Sequence, residues 1–187
     1  MQDLETIRRV ARYFPYFQGL RLVPWGVAIL ADRAFTATWV TYVTWQPFGF
    51  LALIALATLA GMRIDRSYER TVGSAAPTFR PSEVAVLAAA LVALVLAGTL
   101  DARYAPAVSL FATTLGLAFV IAAYRLARTH FAVAGAVLLV IGLLPAVGVA
   151  TNVQAYVLSG WATGVSLVTL GILDHRWLER RLARNPV

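Results

Sequence analysis

Apolar residues arrive along this chain in long blocks rather than in alternation. Six blocks follow a mixed N-terminal stretch, at about 22–44, 47–62, 84–100, 106–124, 131–150 and 156–173, each bounded by charges, proline or polar residues. Their length is close to the ~20 apolar residues that a helix needs to cross bilayer hydrocarbon, so the pattern predicts membrane-spanning helices. The second block is short, roughly 24 Å at the helical rise, and calls for local thinning or a tight hairpin with the first. Pro24 falls in an opening turn, where a missing N–H is tolerated. Trp39, Tyr42 and Trp45 form an aromatic stripe at the far end of the first block, as at a membrane interface.

Ahead of the blocks, residues 3–13 place Leu4, Ile7, Val10, Ala11 and Phe14 on one side and Glu5, Arg8, Arg9 and Arg12 on the other. Pro15 interrupts this amphipathic helix, and Tyr13, Phe14, Tyr16 and Phe17 suit a headgroup layer. The segment 1–19 is therefore expected to lie flat on the membrane, with a soluble frayed tail as the alternative. It lacks the basic head and apolar core of a cleavable signal peptide, so it is expected to remain on the mature protein.

Composition supports the membrane class. Apolar residues make up 60% of the 187 and charged ones 13%, which excludes an ordinary soluble domain. The 16 basic residues, all arginine, face nine acids, and there is no cysteine, so disulfides, thiolate nucleophiles and cysteine metal sites are excluded. The net charge of +7 has no nucleic-acid-binding module to carry it. It reports orientation instead. With the N-terminus inside, only Arg33, within the first block, and Arg103, on the outer side, fall away from the cytoplasmic face. The asymmetry predicts an even number of spans and both ends inside. The expected organisation is thus an all-α, multi-pass protein of the cell membrane: an interfacial segment at 1–19, a six-helix membrane domain at 20–175 with a cytoplasmic loop at 63–83, and a basic tail at 176–187.

Several residues stand out chemically. Asp32 and Arg33 lie about ten residues from either end of the first span, at a depth where a charge costs about 2.5–3.5 kcal/mol and usually faces protein or water. Neighbouring helix positions point about 100° apart, so the two are not expected to neutralise each other along the helix. Three arrangements remain open: a polar cavity lined by hydroxyls such as Thr36, Thr113 and Thr163, a two-fold dimer in which Asp32 meets Arg33 of the other copy, or a snorkelling Arg33 in a span that sits deeper. In the loop, Arg63, Asp65, Arg66, Glu69 and Arg70 alternate in sign, as on a solvated helical extension of the second span that either docks a soluble partner or merely ends the span. Gly142, Pro145 and Gly148 recur at three-residue spacing in the fifth span and predict a kink.

His130 and His175, with Asp174 beside the latter, are weak metal candidates, because zinc takes three or four protein ligands and no H-E-x-x-H spacing is present. Ser109 and Ser159 sit toward the outer side, away from both histidines, so a Ser/His pair is not expected. No phosphate-binding glycine loop or dinucleotide fingerprint is present, and no cofactor is expected. Small residues recur four apart, as in Gly160 with Gly164 and Ala162 with Ser166, a packing signal.

Together, the interfacial segment, six spans, cytoplasmic ends and a main loop after the second span resemble the membrane subunit of ABC exporters. The resemblance implies an elbow helix at 3–19 and docking of an ATP-binding subunit on Arg63 to Arg80. The chain departs from that family between the fifth and sixth spans, where Thr151 to Ala155 is too short for re-entrant helices. The function expected from sequence is a transport component, a permease subunit beside a separate ATPase, using Asp32 and Arg33 as a polar site. The alternative is a non-transporting assembly or regulatory protein that oligomerises through its first span. Expected partners are the bilayer, anionic lipids at its cytoplasmic face, an ATP-binding subunit and further copies or subunits, without nucleic acid.

Overall fold

A computed structural model describes residues 19–38, 46–72, 81–126 and 128–184. The amphipathic segment expected before Gly19, the aromatic group Trp39, Tyr42 and Trp45, the small-residue part of the loop and the last three residues lie outside this set. Among the described residues the regular structure is all helical, without strands. A 3-10 turn, Gly19–Arg21, leads into α1 (Leu22–Thr38), followed by α2 (Gln46–Val72), α3 (Pro81–Tyr104), α4 (Leu110–Leu126), α5 (Thr129–Leu143) and α6 (Asn152–Arg184). Among the described residues one helical stretch, Asn152–Trp177, is long and apolar enough to cross a bilayer, and only 28% of its apolar window is buried. α4 and α5 are shorter apolar helices.

Local chemistry explains where the helices begin and end. Thr151 and Gln154 form a reciprocal cap on α6: the Thr151 N–H donates to Gln154 Oε1 at 2.8 Å and the Gln154 N–H to Thr151 Oγ1 at 3.2 Å. The cap starts the last helix four residues before the expected Tyr156. α5 stops at Leu143, well short of the expected 150. Pro145 has no N–H to extend the ladder, and a run of turns follows in which Gly148 adopts a left-handed φ of 70°. The kink expected from Gly142, Pro145 and Gly148 is therefore a helix end. α2, by contrast, runs unbroken from the second apolar block through the charges to Val72, as the alternating signs suggested.

The helices belong to two compact units. Unit 1 contains α1, α2 and α6 from Gly164 onward. Here α1 and α6 run antiparallel at backbone contact: a Cβ added to Gly26 would fall 2.7 Å from the Gly164 carbonyl oxygen, and one on Gly171 would fall 2.6 Å from that of Gly19. Unit 2 contains α3, α4, α5 and the start of α6. Its α4 and α5 form an antiparallel hairpin, with an added Cβ on Gly116 placed 2.9 Å from the Gly135 oxygen and one on Gly135 2.8 Å from the Gly116 oxygen. Both pairs use small residues seven apart: Gly19 and Gly26 against Gly171 and Gly164, and Ser109 and Gly116 against Gly142 and Gly135. A seven-residue step is nearly two turns, so these positions stay on one stripe.

Burial follows the same logic. The buried apolar residues include Ala28, Ala57, Ala97, Ala112, Ala123, Ala134 and Ala155, whereas Leu56, Val95, Val133, Val149 and Val153 are each at least 60% exposed. Phe119, Phe131, Leu138 and Leu170 are buried as well, but alanine predominates inside and many large apolar side chains lie outside, more than a chain folded against water exposes.

Gly135→Val would force the α4–α5 contact apart. The expected cost is about 1–3 kcal/mol, measured by denaturant titration of helicity in detergent. Gly49→Ala, where an added Cβ meets nothing within 4 Å, should leave the curve nearly unchanged; equal effects would refute the backbone contact.

Candidate functional site

In unit 1, α1 buries Asp32 with its side chain 7% exposed, and Arg33 beside it is 14% exposed. Arg33 Nη2 donates to Asp32 Oδ2 at 2.5 Å and Nε donates to the same oxygen at 3.1 Å. This corrects the expectation that neighbouring positions leave both charges seeking other partners. Their Cα–Cβ bonds diverge by about 100°, but the three-carbon arginine stem is long enough to fold back across that angle. The acid therefore meets its countercharge on its own helix.

The hydroxyl-lined cavity fares differently. Thr113 and Thr163 belong to unit 2, and both donate their only hydroxyl proton to carbonyls of their own helices. Thr113 Oγ1 reaches Ser109 O at 2.7 Å and Thr163 Oγ1 reaches Ser159 O at 2.6 Å. Neither has a donor left to offer a guest, though each keeps acceptor capacity. The side chain of Thr36 lies outside the described residues.

A second pair ties the start of α1 to α2. Arg21 and Asp65 form an ion pair, with Nε 2.5 Å from Oδ1 and Nη2 donating a hydrogen bond to Oδ2 at 2.7 Å. Asp65 is thus occupied toward α1, while Arg63 and Arg66 are exposed. The helical backbone carries Glu69 and Arg70 onward, their side chains lying outside the described residues.

A fully engaged acid, Asp101, is one that sequence reasoning missed. Asp101, in the last turns of α3, is buried, and its carboxylate accepts from Ser109 Oγ at 2.8 Å, from the Leu110 N–H at 2.8 Å and from the Phe111 N–H at 2.9 Å. It caps the start of α4 from the preceding helix, answering donors that have no intrahelical acceptor. Ala105, at a φ of 41°, reverses the chain so that Ser109 can return onto Asp101. The Ser109 N–H in turn donates to the Gly142 carbonyl at 2.9 Å, so one contact closes the end of α5 with the start of α4. An Asp followed eight residues later by Ser, across a proline turn, was the available signal.

The metal candidates do not gather. His130 opens α5 in unit 2 and lies against Phe131, 5.2 Å between ring centres. His175 and Asp174 lie on α6 in unit 1, where Asp174 is 1% exposed and abuts Gly19. Among the described residues no group of three or more His, Cys, Asp or Glu side chains comes together. Ser159 Oγ donates to Tyr156 O at 2.8 Å, and Ser109 serves Asp101. Both hydroxyl protons are committed to structural acceptors.

Asp101→Ala should cost about 1–3 kcal/mol, because buried N–H groups lose their acceptor; Asp101→Asn, which keeps one carbonyl oxygen, should cost less. The measurement is thermal unfolding in detergent. Asp32→Leu should be worse, about 3–5 kcal/mol, since it strands a largely buried guanidinium, and removing both charges with Asp32→Leu plus Arg33→Leu should recover most of the loss. Asp65→Asn at the more exposed pair should stay under about 1 kcal/mol.

No protein family, curated protein or solved structure matches this chain.

Proposed function

We propose that this chain is a multi-pass protein of the cell membrane, with six helices crossing the bilayer and both ends of the chain on the cytoplasmic side. In this reading it forms the membrane part of a transport assembly, a permease subunit driven by a separate ATP-binding subunit. The observation that carries the membrane placement is the number of large apolar side chains left exposed on every helix, around interfaces formed mainly by alanine and glycine. Lipid covers the large side chains at no cost, and helices associate through close backbone contact rather than through exclusion of water. The arginine asymmetry sets the orientation.

Asp32 and the α2 extension support the transport reading. A buried acid in an otherwise apolar helix has a cost that function repays, and a carrier can use it by exchanging the Arg33 guanidinium for a charged or strongly polar group on a substrate. α2 leaves its apolar section as one rod, held by Arg21 at Asp65. It delivers Glu69, Arg70 and the residues after them to the place where a soluble ATPase would bind. A second reading is a non-transporting assembly protein that oligomerises through α1; the intrahelical contact of Asp32 with Arg33 is a static pair that such a protein can keep or exchange for the other copy, whereas a carrier has to break it in each cycle.

Purification from the native host in mild detergent separates the two. The wild-type chain should carry a stoichiometric ATP-binding subunit that Arg70→Glu releases, and Asp32→Asn should leave the complex intact while lowering its coupled ATP hydrolysis at least tenfold. A homo-oligomer without an ATPase, dissociating when Asp32 is replaced, would establish the second reading instead. Full assembly with full hydrolysis in Asp32→Asn would remove Asp32 from either role.

A further inference from the structure

α2 presents two unlike sides. Ala57, Ile64 and Asp65 lie on the inner side, with Asp65 engaged by Arg21, while Ala52, Leu56, Leu59, Arg63 and Arg66 are all exposed. At 100° per residue the exposed five fall within about an 80° arc, so they form one straight stripe. The stripe is apolar for two turns, with Leu56 63% and Leu59 58% exposed, and ends in two arginines three residues apart. Side chains at that spacing are neighbours on a helix surface. An apolar rail ending in a dibasic pair is the complement of an amphiphile with an anionic head.

We propose that this stripe is a binding site for one anionic phospholipid, with an acyl chain along Ala52, Leu56 and Leu59 and the phosphodiester held between Arg63 and Arg66. The proposal rests on the membrane placement given above and assigns these arginines to lipid, leaving Glu69 and Arg70 for a soluble partner. The charges favour this occupant over others. A second copy held at the same depth by the membrane would bring Arg63 and Arg66 against their own equivalents, like charge on like. A soluble protein would reach the arginines but not Leu56 or Leu59. Guanidinium groups suit the phosphodiester because their planar donors pair with its oxygens.

The test starts with extraction of the full chain from washed membranes. Release by alkaline carbonate would overturn the membrane placement and this site together; a requirement for detergent keeps the placement and leaves the lipid site to be decided separately. The detergent-solubilised protein is then titrated with phosphatidylglycerol or phosphatidylcholine and the bound lipid counted by native mass spectrometry. One phosphatidylglycerol should bind in preference to phosphatidylcholine. Arg63→Gln with Arg66→Gln should weaken it roughly 30-fold, while the charge-matched control Arg125→Gln with Arg176→Gln, both exposed elsewhere, should retain it. Equal binding of the two lipids, or equal loss in the control, would overturn the site in favour of general surface charge. Loss of a soluble subunit with lipid retained would show the arginines to be a protein-docking surface.

Discussion

Two helices can reach backbone contact only where neither carries a side chain in the way, and each unit is organised around such a contact. In unit 1 the carbonyls and Cα atoms of Gly19 and Gly26 lie against Gly171 and Gly164; in unit 2 Gly116 lies against Gly135, while Ser109 meets Gly142. Close approach multiplies dispersion contacts along the backbone, each worth only ~0.1–0.2 kcal/mol but many in number. It also explains the distribution of the larger residues. With interfaces closed largely by glycine and alanine, the interior takes few large residues, Leu138 and Leu170 among them, and Leu56, Val95, Val133 and Val153 remain on the outside. In the proposed membrane placement, lipid as apolar as these side chains covers them.

Polar groups in such surroundings have to be answered from within the chain. Asp101 gathers three donors at the start of α4, the Ser109 amide takes a carbonyl at the end of α5, and the Thr113 and Thr163 hydroxyls turn back onto their own helices. The contact at Gly142 serves both requirements. Its missing side chain brings the α4 start close enough for a backbone hydrogen bond, so packing and polar satisfaction depend on the same residue.

The existence of the helices was legible in the sequence because apolar blocks of this length have few other solutions. Their ends were less legible. α6 begins at a cap formed by Thr151 and Gln154, residues that hydropathy reads as a connection, and α5 ends where Pro145 withdraws a donor although apolar residues continue to Ala150. The extension of α2 was readable because its charges alternate at helical spacing. The spacing of small residues drew attention to Gly160 and Gly164, yet of these it is Gly164 that meets Gly26; the partners lie more than a hundred residues apart, and no local pattern names them. Asp101 escaped because its role depends on the turn after α3 and not on its own depth. The pairing of Asp32 with Arg33 escaped because positions were compared by the angle between Cα–Cβ bonds, while the arginine stem spans that angle.

The charges of unit 1 are sorted by the helical period. Asp65 turns inward to Arg21, while Arg63 and Arg66, two residues before it and one after, turn outward to the surface. The inward acid neutralises the base at the start of α1 and so does not offset the outward pair, which ends a stripe that is otherwise apolar. Had the acid been one position earlier, at 64, it would still point inward; at 67 it would join the outward stripe and cancel the field there. A shift of two residues, from 65 to 67, thus decides whether the end of α2 attracts anions or is neutral, and the observed register leaves Arg63 and Arg66 exposed beside the apolar rail. The same sorting separates the two charged features of α1. The Arg21 guanidinium is spent on fixing α2, whereas Arg33 is spent on the buried acid next to it, so the only countercharge that a ligand could displace in α1 without loosening α2 is Arg33.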